Sequence, residues 1–252
     1  MKLAIISDIH CGEPRGRWST ARRLAARHDT TNAERLADIV DSVNASDADR
    51  CIVLGDVTDW ASSRQWSEAA GELERLTIPF DIVPGNHDVI GAGPLMAAGV
   101  FRQPSYDRTM EAVEHLTGVG EYPYQRDFGD CRLLCLDSSA HGERGTLAHR
   151  GRIGDRQIAF LASHVPGTHP VVVALHHYLV DMPWTLAVED AEDVLPILAR
   201  DHVTVIHGHR HRAGEHKKTA DRPRILASDS TVDSMRWRML DVGSGRWDWR
   251  SV

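Results

Sequence analysis

Lys2-Leu3-Ala4-Ile5-Ile6-Ser7-Asp8-Ile9-His10 opens the chain, an apolar run that breaks into an aspartate and a histidine. A short, continuous apolar stretch of this kind reads as a strand buried on both faces. The same pattern recurs four times. Cys51-Ile52-Val53-Leu54 leads into Gly55-Asp56, and Phe80-Asp81-Ile82-Val83 leads into Pro84-Gly85-Asn86-His87-Asp88. Val171 to Leu175 runs into His176-His177, and Val203-Thr204-Val205-Ile206 precedes Gly208-His209-Arg210-His211. Each strand ending delivers Asp, Asn or His, the side chains that hold first-row transition metals. In open α/β sheets ligands bind beyond the carboxyl ends of the strands, so adjacent strands would gather the five motifs at one site.

Helical spacing fills the intervals. Leu36, Ile39, Val40 and Val43 mark one face of a helix over 32–43. Further helices are predicted over 63–76, 106–116, 155–164 and 191–200. A strand is expected over 132–136, and the tail reads as three strands over 224–227, 234–240 and 246–250. The alternation predicts a mixed α/β architecture with an antiparallel end, organised as one domain over residues 1–252.

Composition sets outer bounds. The 252 residues carry 26% charged and 42% apolar side chains, as ordinary globular proteins do. A net charge of -7 argues against a non-specific nucleic-acid binder, which would be basic. Fifteen histidines are an excess that metal chemistry would partly absorb. Cys11, Cys51, Cys131 and Cys135 form no Cys-x-x-Cys pair and read as buried thiols. The apolar run from Leu3 to Ile6 is too short for a signal-peptide core or a membrane span, so the expectation is a cytoplasmic protein with no membrane partner.

With the motifs in order, the chain resembles the calcineurin-like metallophosphoesterase superfamily, whose pattern is D-x-H, G-D-x-x-D, G-N-H-D, H and G-H-x-H. The match spans residues 8 to 211; each motif alone is weak, and the ordered set is specific. The resemblance implies a four-layer α/β/β/α sandwich with two mixed β-sheets. It implies two divalent transition metal ions, manganese or iron, with zinc also compatible. Asp8, His10 and His211 would hold one ion, Asn86, His176 and His209 the other, and Asp56 would bridge them. Attack would come from a bridging hydroxide. His87 would protonate the leaving group, and Asp59 would orient His87.

Within the family, Gly145-Thr146-Leu147 followed by Asp155 to Leu161 is similar to the branch of small cyclic-nucleotide phosphodiesterases. That branch often carries His-His-Pro-Pro where this chain has His176-His177-Tyr178-Leu179. The implied activity is hydrolysis of a small, nucleotide-like phosphodiester. A phosphomonoesterase or protein phosphatase, a DNA exonuclease and a non-catalytic scaffold are the competing expectations. A homo-oligomer is compatible with the sequence.

Other residues carry paired readings. Arg15 and Arg17, in the segment Arg15 to Arg27 with Trp18, would line the substrate mouth or form a solvated helix face. His177 would contact substrate or pack beside His176. Trp60 and Trp184 would stack on a base or pack at the rim. Asp88 would fix its loop or touch a ligand, and Cys11 would be a metal-adjacent thiol or a small packed residue. Trp237, Trp247 and Trp249 read as strand packing.

Overall fold

The computed structural model describes residues 1–12, 31–89, 102–139, 150–180 and 187–252. In chain order these form β1 (Lys2–Ile6), α1 (Asn32–Asn44), β2 (Arg50–Val53), α2 (Ser63–Leu73), β3 (Phe80–Ile82), α3 (Asn86–Val89), α4 (Arg102–Thr117), β4 (Tyr124–Asp127) and β5 (Arg132–Cys135). They continue as α5 (Asp155–His164), β6 (Val171–Ala174), α6 (Ala191–Leu198), β7 (Val203–His207), β8 (Gly214–His216), β9 (Arg224–Ala227), α7 (Thr231–Ser234), β10 (Arg236–Asp241) and β11 (Arg246–Ser251). Two mixed sheets result, one ordered β11-β10-β1-β2-β3 and the other β4-β5-β6-β7-β9-β8. β1, β2 and β3 run parallel, as do β5, β6, β7 and β9. The remaining strands pair antiparallel at the edges.

The period-two alternation of side chains sorts the layers. In the second sheet Leu133, Cys135, Val172, Ala174, Ile206 and Leu226 join the core shared with the first sheet. Their neighbours Leu134, Val171, Val173, Val203, Val205 and Ile225 turn the other way, onto Leu161 of α5 and Val194 and Leu198 of α6. On the first sheet α1 and α2 bury Leu36, Ile39, Val40, Trp66 and Leu73. Trp237 of β10 donates from Nε1 to Ser42 Oγ of α1 at 3.0 Å, fixing that helix to the sheet. The order is therefore helices, sheet, sheet, helices. α1 begins on a capping box, with the Thr31 side chain and Glu34 satisfying each other's backbone N–H groups.

An ion cluster pins the sheets together. Asp81 of β3 meets Arg50 Nε of β2 at 3.2 Å and Arg126 Nε of β4 at 3.2 Å, and accepts from the Tyr124 hydroxyl at 3.0 Å.

The element boundaries move where local chemistry overrides periodicity. The helix predicted over 63–76 ends at Leu73, and that over 191–200 ends at Leu198. The strand predicted from Ser234 begins at Arg236, because Ser230 caps a one-turn helix through Ser234. β4 and β8 lack an apolar run and were not expected. Among the described residues no helix is long and apolar enough to cross a membrane.

Candidate metal centre

The motif loops take up where the parallel strands end. Asp8 N donates to Gly55 O at 3.1 Å and His10 N to Asp56 O at 2.8 Å, so the first two loops continue the β1–β2 ladder. Among the described residues seven non-glycine positions have positive φ, and five of them are Asp8, Asp56, His10, His209 and His211. Such conformations cost on the order of 1–3 kcal/mol each and persist only where the surroundings over-determine them. Here the surroundings are the neighbouring loops themselves. His209 N donates to both Asp8 carboxylate oxygens, at 3.0 and 3.1 Å. His87 N donates to Asp56 Oδ1 at 2.8 Å. The approach is too close for side chains at two glycines. A Cβ on Gly208 would lie 2.0 Å from Ser7 Oγ, and one on Gly85 would lie 2.2 Å from Asp56 Oδ1.

Two groups of donor atoms flank Asp56. In the first, His211 Nε2 lies 2.9 Å from His10 Nε2 and 3.4 Å from Asp8 Oδ1, and His10 Nε2 lies 3.8 Å from Asp56 Oδ2. In the second, His176 Nε2 lies 3.2 Å from Asn86 Oδ1, 3.2 Å from His209 Nδ1 and 3.3 Å from the same Asp56 Oδ2. One carboxylate oxygen thus faces both groups.

Hydrogen bonds fix which ring nitrogens point inward. A carbonyl only accepts, so His176 Nδ1, 2.7 Å from Leu54 O, carries a hydrogen and leaves Nε2 toward the centre. His177 is arranged the opposite way. Ser138 Oγ accepts from the backbone N–H of both His176 and His177, which directs its own hydrogen to His177 Nδ1 at 3.0 Å. The hydrogen of a neutral His177 then sits on Nε2.

The electrostatics favour positive charge at the centre. Burial works against the ionised Asp56 carboxylate, but the imidazoles of His176, His87 and His10 outweigh it and hold Asp56 well below the usual range. Burial likewise opposes a charged His176, and Asp56 overcomes it, raising His176 to about 9. His87 rises to about 10 against burial, through Asp56 and Asp59. Its Nδ1 donates to Asp59 O at 3.0 Å and lies 3.4 Å from Asp59 Oδ1. His207, one residue before Gly208, is pushed down to about 3 by burial. Two carboxylates, an amide oxygen and four imidazoles form an oxygen and nitrogen donor set that suits divalent manganese, iron or zinc. The residues present therefore fit a pair of divalent cations.

The other sequence candidates separate clearly. Asp88 accepts from Val57 N, Thr58 N, Thr58 Oγ1 and Gly85 N, so it fixes its loop. Cys11 is buried and its thiol is raised to about 12, mainly by burial, which fits the small packed residue. Trp60 is half-buried, its ring 6.2 Å from that of His87. Trp237 is core, and Trp249 lies beneath the Arg238 guanidinium at 3.0 Å. Arg15, Arg17, the rest of Arg15 to Arg27, Trp184 and the Gly145 to Leu147 spacer lie outside the described residues. Ser138, Ser230 and Asp233 also reach the centre and were not expected. Ser230-Thr231-Val232-Asp233 carries the spacing of a helix start, yet nothing local in it points to a metal loop.

A two-sheet sandwich gathers Asp, Asn and His at its strand ends, in groups that could hold metal ions. Residues 1–213 match the calcineurin-like phosphoesterase family, and the chain belongs to it. A curated protein of Psychrobacter sp. (strain PRwf-1), named "Probable cyclic nucleotide phosphodiesterase", is 26% identical over 135 residues. That match covers 53% of this chain and 36% of the relative, so the chain spans about a third of the relative's length. The fold is similar to that of a dimetal phosphatase from Danio rerio, with a TM-score of 0.69, 16% identity and coverage of 94% of this chain and 91% of the other. A purple acid phosphatase from yellow lupin (Lupinus luteus) aligns with a TM-score of 0.56 at 12% identity, covering 91% of this chain and 44% of its own.

Proposed function

We propose that this protein is a phosphodiesterase acting on a small, nucleotide-like substrate at a dinuclear metal centre. The observation that carries the reading is the position of Asp56 Oδ2 between two donor groups, within 3.3 Å of His176 Nε2 and 3.8 Å of His10 Nε2. Asp8, His10 and His211 would hold one cation, Asn86, His176 and His209 the other, with Asp56 shared. His176 is chosen over His177 because Leu54 O holds its Nδ1 hydrogen and turns Nε2 inward, 3.3 Å from Asp56 Oδ2. Two divalent ions held there would supply Lewis acidity, lowering the pKa of coordinated water and neutralising charge on the phosphoryl group. Asp8 and Asp56 return two negative charges against four positive ones, so the centre stays net positive and attracts a phosphate ester.

The chain's own residues supply orientation and the proton. His87 stands at the mouth, more exposed than His176 or Asp56, with its Nδ1 held by Asp59. Asp56 and Asp59 favour its protonated form, and its Nε2 proton would be the one given to the leaving oxygen. Trp60 offers a half-buried aromatic face beside that donor, suited to stacking on a base attached to the leaving group. His177 would contact the substrate through Nε2–H. The diesterase name of the Psychrobacter relative supports a diester over a monoester.

The test is turnover of bis-p-nitrophenyl phosphate against p-nitrophenyl phosphate after loading with manganese, iron or zinc. The diester is expected to show the higher kcat/KM, with manganese the best metal. A monoester preferred tenfold or more under every metal overturns the diesterase reading.

A further inference from the structure

We infer that Asp233, on the one-turn helix α7, is a positioning residue for His211 and makes the two cation sites unequal; the inference rests on the dinuclear reading above. His211 turns Nε2 into the centre and Nδ1 outward, where Asp233 Oδ2 faces it at 3.6 Å. His10 is arranged the same way, with its outer Nδ1 3.7 Å from Asp59 Oδ1. Both imidazoles of the Asp8 group are thus backed by a carboxylate. In the other group, His176 is backed by the neutral Leu54 carbonyl. A negative charge behind a ligating imidazole raises its basicity and holds its ring plane, and outer partners of this kind are worth about 10–100-fold in metal affinity.

The helix that carries Asp233 is tied to the loop that carries Asp8. Thr231 N donates to Ser7 O at 2.9 Å, and Ser7 N donates to Thr231 Oγ1 at 2.8 Å. Ser230 Oγ accepts from Asp233 N at 3.3 Å and donates to Asp8 O at 2.9 Å. One serine therefore joins the backbone of a ligand in the first motif to the backbone of the residue whose carboxylate stands behind a ligand in the last. This element lies past residue 213, beyond the segment that matches the family. The Asp233 side chain is 45% exposed, so solvent screening places its effect at the lower end of the range.

The experiment is equilibrium binding of Mn2+ to metal-free protein, comparing wild type, Asp233→Asn and Asp233→Glu. Each is repeated in an Asn86→Ala background, which weakens the other site and leaves the Asp8 group to report. Asp233→Asn is expected to weaken Mn2+ binding about 10-fold in that background, with part of the loss recovered by Asp233→Glu. The unfolding temperature of the metal-free protein should stay unchanged, which separates ligand positioning from structural damage. Wild-type protein that binds two ions alongside an Asp233→Asn variant that binds them within twofold overturns this inference alone. A variant that loses affinity only together with metal-free stability also overturns it. Wild-type protein that binds no Mn2+ overturns the dinuclear reading and this inference with it.

Discussion

Asp81, in β3, and Asp56, in the loop that follows the neighbouring β2, are 0% and 2% exposed and meet opposite company. Asp81 faces two guanidiniums and a phenol. Asp56 faces three imidazoles, whose charge is conditional. A buried carboxylate held between guanidiniums of two other strands is a staple. A buried carboxylate surrounded by histidine and backbone N–H keeps one oxygen turned toward a place where another cation can stand. Burial is the same in both, and the kind of partner separates scaffold from site.

Asp56→Asn is the harshest way to break that contrast. It preserves shape and removes the charge on which both donor groups converge. Loss of at least one metal and of nearly all turnover is expected, read by elemental analysis and kcat/KM. Two ions per chain with wild-type turnover would refute the bridging role.

His87 sharpens the same comparison, because it turns the charge of Asp56 into a proton held for chemistry. His87→Ala should keep both metals and slow hydrolysis by roughly 10²–10⁴-fold. The deficit should shrink for esters with acidic leaving groups, which need no proton. An equal deficit across leaving groups would leave His87 without that role.

Asp81→Asn attacks the other half. Two arginines lose their buried counterion, so unfolding free energy should fall by about 3–5 kcal/mol, measured by urea denaturation. Metal content and kcat/KM of the folded fraction should stay near wild type. Lost metal with unchanged stability would erase the distinction between the two carboxylates.

The sequence revealed these two regions unequally. The ligand loops were legible because each follows an apolar strand and ends in a ligand-type residue, so the parallel strands alone bring them together. Five of the helices and the apolar strands followed from periodicity, and the two-sheet sandwich from the family resemblance. The Asp81 cluster was not foreseen, although an aspartate inside Phe80-Asp81-Ile82-Val83 is itself a signal. A charge in a buried strand requires a partner, but its partners Tyr124 and Arg126 lie on β4, an edge strand with the polar sequence Tyr-Gln-Arg-Asp. α3 and α7 span one turn each, too short to show a helical period. Ser138 and Asp233 reach the centre only through tertiary packing, which no local pattern encodes.

The smallest expected effect is one of pH on the metal-free protein, and it bears on the comparison most directly. A histidine raised in the folded state stabilises the fold fully below its ordinary value near 6.5 and loses that contribution as pH rises through its folded value. For His176 and His87 those folded values are about 9 and about 10. Stability of chelator-treated protein should therefore decline between about pH 6.5 and 10. The loss should be at least about 1.4 kcal/mol, the equivalent of a single pH unit for one group. His207 contributes nothing there, since its proton is already lost below this window. Asp56→Asn removes the charge that raises both histidines and should flatten the decline, whereas Asp81→Asn should lower the whole curve and leave its slope intact. Urea midpoints at half-unit intervals of pH distinguish the two. Equal slopes in wild type and Asp56→Asn would mean that the imidazoles do not hold their protons through Asp56.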